Sequence, residues 1–172
     1  MRPRRQLEKR LETALKARGW LFDRVEGLPP AFVRGEVFTP FYRLAVAGRS
    51  AGWYSFDGYV GVLDREFEAI WRKTHADRNQ FPIMMHVANF DGLRGFAAVP
   101  NEFEEVAPQF AAAIDLFLSR LPRDRGEMRT AFEANELVGK ALEGWNFFRP
   151  FPEGAALSLK FEEFRAFLDP RH

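Results

Sequence analysis

The fold is decided by one run of alternating side chains, Trp53-Tyr54-Ser55-Phe56-Asp57-Gly58-Tyr59-Val60-Gly61-Val62-Leu63. Successive side chains of a β-strand point to opposite faces of a sheet. The even-numbered positions of this run are mostly apolar, so we expect them in the core. The odd-numbered positions mix aromatic, hydroxyl and carboxylate groups. That mixture is typical of a sheet surface that faces a ligand or a partner.

Shorter strand patterns lie on both sides of this central strand. Before it, apolar and aromatic alternation predicts strands over about 20–25, 31–34 and 41–47. Two glycines in the segment 48–52 favour a hairpin turn into the central strand. After it, Asp91-Gly92 is a strong turn signal, and it predicts that a strand over 83–90 pairs with one over 93–99.

Helical periodicity dominates the rest of the chain. An amphipathic helix is predicted over about residues 4–18, ended by Gly19. Asp64 is a favourable N-cap for a helix that we expect to bury Phe67, Ile70 and Trp71. Pro108 lacks a main-chain N–H, which predicts a kink or a new helix at that point. Further helices are predicted from Asp124 onward and over about 159–168.

Together these patterns predict the architecture. Strands joined by short connections favour antiparallel pairing, and helices then form a second layer. Neither an internal repeat nor a low-complexity linker interrupts the chain. We therefore expect a single domain over residues 1–172 with an α+β fold. Its two layers would be a mainly antiparallel sheet of about five to six strands and helices packed on one face.

Composition excludes several classes of protein. The chain has 172 residues, 47% of them hydrophobic, which is enough for one ordinary core. It contains no cysteine, so disulfides, thiolate zinc sites, iron–sulfur clusters and cysteine nucleophiles are excluded. No apolar run approaches the roughly 18 residues that cross a bilayer. We expect a cytoplasmic protein that is not bound to a membrane, and the excess of arginine over lysine is typical of a GC-rich bacterial genome.

Catalytic and nucleotide-binding motifs are missing from the sequence. It has no Gly-x-Ser-x-Gly elbow, no phosphate-binding loop and no dinucleotide fingerprint. The adjacent carboxylates at 104–105 and 162–163 diverge on a helix, which makes them poor acid/base pairs. His75 and Asp77 have a spacing that permits metal ligation, but a third ligand is lacking. The sequence thus predicts no catalytic residue, no metal and no cofactor.

One histidine keeps an enzymatic or ligand-binding alternative open. His86 lies in the predicted strand over 83–90, on the side of Met84 and Ala88. Among apolar neighbours a histidine is more often a hydrogen-bonded structural residue than a catalyst. A catalytic histidine would need a carboxylate, and Asp57 on the neighbouring hairpin is the natural candidate. The alternative is therefore a small enzyme or ligand-binding protein with a cleft near His86 and Asp57.

The first helix supports a further alternative, nucleic-acid binding. Residues 1–18 hold seven basic groups and two glutamates, although the whole chain has a net charge of only +1. A basic patch attracts nucleic acid. The glutamates interrupt this patch, however, and no nucleic-acid-binding motif accompanies it. A solvated helix face is the simpler interpretation, and nucleic acid is not the expected partner.

The central strand supplies the preferred candidate site. Protein interfaces are enriched in Trp, Tyr and Arg, and the sheet can place Trp53, Tyr59 and Arg43 on one surface. With Asp57, these residues form the predicted partner-binding set. The competing interpretation is that helices cover this surface and that the aromatic side chains belong to the core. An aromatic cluster at 147, 148 and 151 follows no periodicity and is a second candidate for function.

The order of elements resembles a known class of proteins. An N-terminal amphipathic helix ends at Gly19-Trp20, and strands follow, up to the run from Trp53 to Val62, which leads into a short helix. Over about residues 5–120 this order is similar to small bacterial α+β proteins of uncharacterised function. Some of these are immunity proteins encoded beside secreted toxins, including those of contact-dependent growth inhibition systems.

This resemblance implies a non-enzymatic inhibitor that binds one cognate toxin domain stoichiometrically. It rests on element order, so it implies no site residues. Many immunity proteins against nucleases are acidic, whereas this chain has a basic N-terminal segment. The resemblance therefore leaves the activity of the toxin open.

Overall fold

A computed structural model describes residues 2–24, 30–75, 83–133 and 155–171. The helices in these residues are α1 (Pro3–Ala17), α2 (Arg65–Thr74), α3 (Phe103–Leu118), α4 (Arg125–Glu133) and α5 (Ala155–Leu168). The strands are β1 (Leu21–Asp23), β2 (Ala31–Val33), β3 (Phe38–Gly48), β4 (Tyr54–Asp64), β5 (Ile83–His86) and β6 (Ala97–Ala98). The predicted α+β class is confirmed. The aromatic cluster at 147, 148 and 151 lies outside the described residues.

The sheet is an antiparallel meander in the order β1-β2-β3-β4-β5, and β6 pairs with β4. Its centre is the β3–β4 hairpin, in register from Phe38 opposite Asp64 to Gly48 opposite Tyr54. The turn between these strands needs left-handed backbone angles, with φ of 57° at Ala51 and 77° at Gly52. The hairpin predicted from the glycines is thus present, and β4 is the central strand.

The predicted hairpin between 83–90 and 93–99 is wrong. β5 ends at His86, a short 3-10 turn follows over Val87–Asn89, and β6 pairs with β4 instead of β5. Both strands fit the same edge of β4 because it is long: β5 pairs along residues 59–62 and β6 along 54–55. The segment around Asp91 turns back on itself and buries its apolar side chains in the core.

The main core lies between the helical layer and the even-numbered face of β4. Helices α1 and α3 pack against each other and against β3. Phe110 of α3 lies in the middle, 4.7 Å from Phe56 and 6.0 Å from Tyr42 between ring centroids. The buried side chains of α1 are Leu7, Leu11 and Leu15. The predicted inward direction of the even-numbered side chains is confirmed by burial at Phe56, Val60 and Val62.

A second group of helices, α2, α4 and α5, packs beyond the end of β4. The predicted N-cap is confirmed, because the Asp64 carboxylate accepts hydrogen bonds from the N–H groups of Glu66 and Phe67. Phe67 and Trp71 are buried as expected, but Ile70 is 52% exposed. The expectation for Ile70 is wrong because α2 buries Glu68 on its inner side, where that carboxylate pairs with Lys160 of α5.

Pro108 does not start a new helix. It lies inside α3, which is continuous from Phe103 to Leu118. Proline removes a single helical hydrogen bond there. Burial of Phe103, Ala107 and Phe110 on the inner side of α3 maintains the helix across that position.

The odd-numbered face of the sheet has a small apolar cluster of its own. Its buried members are Ala31, Val33, Phe41, Leu63 and Met84. Tyr59 packs against this cluster and is half-buried. The polar side chains of the same face begin beside Tyr59, so a boundary between apolar and polar surface crosses the middle of β4.

Candidate functional site on the sheet

Three side chains from neighbouring strands form a row across the odd-numbered face. Arg43 of β3 is the register partner of Tyr59 of β4, and Tyr59 is the register partner of His86 of β5. Asp57 lies two residues from Tyr59, so it shares the same face. We call these four residues, Arg43, Asp57, Tyr59 and His86, the Asp57 cluster. Three of the four residues in the predicted binding set belong to it.

The centre of the cluster is a histidine–carboxylate pair. Nε2 of His86 lies 2.5 Å from Oδ1 of Asp57. The other ring nitrogen, Nδ1, accepts a hydrogen bond from the Ala88 N–H at 3.1 Å. A nitrogen that accepts carries no proton, so the neutral imidazole has its hydrogen on Nε2 and donates it to Asp57. His86 and Asp57, the candidate pair of the enzymatic alternative, therefore face the same side of the sheet and are in contact.

This geometry bears directly on the enzymatic alternative. A general base needs a ring nitrogen within reach of a substrate proton. Both nitrogens of His86 are already engaged, one by Asp57 and one by the Ala88 N–H. The imidazole therefore holds β4 and the turn after β5 together, which is a structural use. The side chain of His86 is nevertheless 35% exposed and that of Asp57 25%, so a partner can reach the pair.

Tyr59 gives the cluster a fixed aromatic surface. Its ring meets the imidazole of His86 edge-on, with centroids 5.2 Å apart and planes at 87°. On the other side, the guanidinium carbon of Arg43 lies 5.8 Å from the Tyr59 centroid. That distance is within the range of a cation–π contact. The aromatic ring is thus held between an imidazole and a guanidinium group.

The strand beneath the cluster depends on Gly58. Its φ of +119° lies in a region that L side chains rarely adopt, and a Cβ there would lie 2.0 Å from the Arg43 carbonyl oxygen. Glycine therefore lets β3 and β4 approach at this point. The N–H of Gly58 also donates to Oδ1 of Asp57 at 2.8 Å. The Asp57 carboxylate is fixed from two sides, by this N–H and by His86.

A buried tyrosine supports the same carboxylate residue from the core side. The Tyr42 hydroxyl donates to the main-chain oxygen of Asp57 at 2.6 Å. Burial raises the pKa of Tyr42 well above its usual value of 10.0, and the negative charge of Asp57 raises this pKa further. Tyr42 therefore stays neutral over the physiological range and acts as a fixed hydrogen-bond donor.

Trp53, the fourth predicted binding residue, lies away from the cluster. It precedes β4 and is 42% exposed. Tyr59 lies six positions further along the strand, which corresponds to about 20 Å at roughly 3.3 Å per residue. The expected proximity of Trp53 to Arg43 and Tyr59 is therefore not found.

The space along β4 between Trp53 and Asp57 is polar. Nε of Arg49 donates to Oγ of Ser55 at 3.0 Å, and Arg49 is exposed. The sequence does not predict a role for Arg49, because this residue lies in the turn, where the alternation of strand side chains no longer assigns a face. Ser55, in contrast, is an odd-numbered residue of β4, so the alternation of side chains predicts that it lies on this face.

The described residues include no group of three or more His, Asp or Glu side chains that could hold a metal ion. His75 stacks on the Trp71 ring, with centroids 3.6 Å apart and planes at 4°. Its Nδ1 lies 2.8 Å from Oγ1 of Thr74. The Asp77 side chain, considered above as a second ligand, lies outside the described residues.

The basic surface of α1 is smaller than its sequence indicates. Four of the seven basic residues in segment 1–18 form ion pairs with carboxylates: Arg4 with Glu8, Arg10 with Glu104, Lys16 with Glu12, and Arg18 with Asp115. A neutralised cation releases few counterions when it meets phosphate. This pairing weakens the case for nucleic acid as the partner of α1.

Comparisons with known proteins add no relative. No family model, curated protein or solved structure matches this chain. A functional interpretation therefore depends on the geometry of the Asp57 cluster and on the sequence resemblance stated above. Across the described ranges, no helix has both the length and the apolar character that crossing a membrane requires.

Proposed function

We propose that this chain is a non-enzymatic protein-binding domain whose partner docks on the Asp57 cluster. The observation that carries the proposal is the row of Arg43, Tyr59 and His86 across three paired strands. Arginine and tyrosine are among the side chains that most often dominate binding energy at interfaces. Here they lie side by side on a rigid sheet and not on loops.

The cluster is organised before any partner arrives. Asp57 is fixed by His86 and by the Gly58 N–H, and Tyr59 is fixed between His86 and Arg43. Ordering a free side chain on binding costs about 0.5–1.5 kcal/mol for each rotamer-rich group. These side chains are already ordered, so most of this cost is avoided. Preorganisation of this kind suits a tight stoichiometric complex.

The charges of the face indicate the chemistry of the partner. The carboxylate of the cluster, Asp57, already accepts two hydrogen bonds. Two guanidinium groups lie on the same side of the hairpin, Arg43 against Tyr59 and Arg49 against Ser55. Complementary charge across an interface speeds association and fixes register. We therefore expect the partner to present an acidic side chain toward Arg49 and an apolar group toward Tyr59.

The sequence resemblance suggests which kind of protein the partner is. Small α+β immunity proteins bind one toxin domain and block it, which requires no catalytic residue. The engaged nitrogens of His86 favour binding over catalysis at this site. The proposed partner is accordingly a cognate protein toxin, encoded by the adjacent gene.

Co-purification with the product of the adjacent gene tests this function. We expect the two chains to elute together from size-exclusion chromatography as a complex of fixed stoichiometry. We also expect the activity of the partner, if it is a toxin, to fall in proportion to added chain. Separate elution at micromolar concentration, with the partner equally active, would remove the proposal.

A further inference from the structure

The turn that follows β5 depends on the protonation state of one side chain. His86 is the N-cap of the 3-10 turn over Val87–Asn89, because its Nδ1 atom accepts the Ala88 N–H at 3.1 Å. An imidazole nitrogen accepts a hydrogen bond only while it carries no proton. Histidine is also the side chain that takes up a proton between about pH 5 and 8. The cap therefore exists in only one of the two protonation states of the ring.

The two nitrogens of the ring respond differently to that proton. Nε2 lies 2.5 Å from Oδ1 of Asp57, and it donates its hydrogen to the carboxylate in the neutral ring and in the imidazolium alike. The added proton goes to Nδ1, where it faces the N–H of Ala88, so that two donors meet. The ring stays on Asp57, and the turn loses its cap.

The charged groups beside the ring come from two strands and from the segment after the turn. The side chain of His86 is 35% exposed and Ala88 is exposed, so water can exchange protons with the ring. Among the described residues, the groups to consider are Asp57 and Tyr59 of β4, Arg43 of β3 beyond the Tyr59 ring, and Asp91 and Arg94, which pair with each other at 2.6 Å. By residue type, histidine alone among these changes charge between about pH 5 and 8.

We infer that protonation of His86 is a pH-dependent switch of the docking surface. With the neutral ring, the capped turn and the row of Arg43, Tyr59 and His86 are fixed together. With the protonated ring, the turn beside the row is released, and binding must order it again, which lowers affinity. The effect on the partner rests on the proposed function, whereas the change in the turn needs no partner.

The proton has a second effect on affinity, of opposite sign. It adds a positive charge, which attracts an acidic partner. The acidic side chain of the partner is expected at Arg49, which contacts Ser55. Ser55 lies four positions from Tyr59, about 13 Å along the strand, which exceeds the Debye length of about 8 Å at physiological ionic strength. This attraction is largely screened, so the loss of order decides the sign, and affinity falls as pH falls.

Nuclear magnetic resonance of the full chain without a partner tests the switch itself. It measures the protonation of His86 Nδ1 from its nitrogen shift, and the hydrogen exchange of the Ala88 amide relative to an unstructured peptide. From about pH 7.5 to about pH 5.5, we expect Nδ1 to gain a proton and the protection of Ala88 to fall at least about threefold. The two changes should share one midpoint.

Variants of His86 separate the cap from the charge. In His86→Asn, the side-chain oxygen can accept the N–H two residues on, as in an Asx turn, and it does not titrate. Ala88 should then stay protected at both pH values. His86→Phe has no acceptor, so Ala88 should be unprotected at both. The matched control is His75→Asn at the end of α2, which should respond to pH as the original chain does.

Calorimetric titration with the product of the adjacent gene tests the effect on binding. Titrating groups of the partner act equally on the original chain and on His86→Asn, so the ratio of the two affinities isolates His86. We expect the original chain to weaken about three- to tenfold relative to His86→Asn between about pH 7.5 and about pH 5.5.

Several results would overturn the inference. Constant protection of Ala88 over this pH range would do so, as would the original pH response in His86→Asn or its loss in His75→Asn. A ratio of affinities that does not change with pH, while the turn responds, would overturn the effect on the partner. Absence of any complex at about pH 7.5 would overturn the proposed function and with it that effect, and the resonance titration then decides the switch by itself.

Discussion

Nε2 of His86 lies 2.5 Å from Oδ1 of Asp57, and the Nδ1 atom of the same ring accepts the N–H of Ala88. One imidazole thereby joins the central strand to the turn that follows its neighbour. The pair is partly exposed beside Tyr59, on the face that we propose as the docking surface. Its contribution to stability can be separated from its contribution to binding.

We expect His86 and Asp57 to be energetically coupled. His86→Ala should reduce the free energy of unfolding by about 1–2 kcal/mol, because two hydrogen bonds are lost. In a double-mutant cycle with Asp57→Asn, the coupling should be about 0.5–1.5 kcal/mol. Urea unfolding of the four proteins measures it. Strict additivity of the two single changes would show that the contact contributes nothing to the fold.

Gly58→Ala should be among the most destabilising substitutions that add only one methyl group. Its φ of +119° and the close Arg43 carbonyl oxygen both oppose a Cβ, and we expect a loss of about 2 kcal/mol or more. Gly92→Ala is the matched control, since nothing lies within 4 Å of its Cβ position. That variant should stay within about 0.5 kcal/mol of the original stability. Similar melting temperatures for the two variants would contradict the conclusion that the backbone requires glycine at position 58.

Much of the fold could be predicted because the spacing of apolar residues along the sequence reflects which side chains are buried. The alternation of β4 assigned its two faces, and the helical spacing of Leu7, Leu11 and Leu15 located α1. These features depend on local sequence, where a single physical rule decides the outcome. The pairing of Asp57 with His86 was one open alternative, because the sequence does not fix whether both side chains face the same side of the sheet.

Other features depend on contacts between distant segments, and the sequence did not reveal them. β6 pairs with β4 because β5 leaves part of that edge open, and this depends on the length of another strand. Ile70 is exposed because Lys160, far along the chain, makes Glu68 a buried residue. The separation of Trp53 from Arg43 follows from the register of the β3–β4 hairpin, which the alternation of side chains alone does not fix.

The pair of Glu68 and Lys160 should be costly to break. Both side chains are fully buried, with Nζ of Lys160 2.9 Å from Oε2 of Glu68. Lys160→Met leaves a buried carboxylate, so we expect a loss of about 3–5 kcal/mol. The double variant E68L/K160M removes both charges and should recover most of that loss. Chemical denaturation of the three proteins measures this.

An exposed ion pair provides the control for that experiment. Arg4 and Glu8 of α1 lie 3.0 Å apart, and Arg4 is 62% exposed. Arg4→Ala should change stability by no more than about 0.5 kcal/mol. If Lys160→Met were equally mild, the buried pair would not hold α5 against α2.

Stability should decline in alkali through Tyr42. Its pKa is raised in the folded state by burial, so above about pH 10.0 the unfolded chain loses a proton that the folded chain keeps. The unfolded state is then favoured increasingly as pH rises, and the stabilisation is complete only below that pH. Tyr42→Phe should cost about 1 kcal/mol near neutral pH, through the lost hydrogen bond.

The signature of Tyr42 is a difference between two pH profiles. Lysine residues also titrate in alkali, but they are common to the original chain and to Tyr42→Phe. The gap in unfolding free energy between these two proteins should therefore narrow above about pH 10. A constant gap from neutral to alkaline pH would mean that Tyr42 ionises equally in both states.

The most direct measurement is the affinity of the complex with the product of the adjacent gene, determined by isothermal titration calorimetry for matched variants. Arg43→Ala and Tyr59→Ala should each weaken binding at least about tenfold, because they remove the central arginine and tyrosine of the docking surface. Leu116→Ala and Arg120→Ala alter exposed residues at the C-terminal end of α3 and should leave affinity within about twofold. Equal affinities for all four variants, or a loss confined to the α3 pair, would contradict docking on the Asp57 cluster.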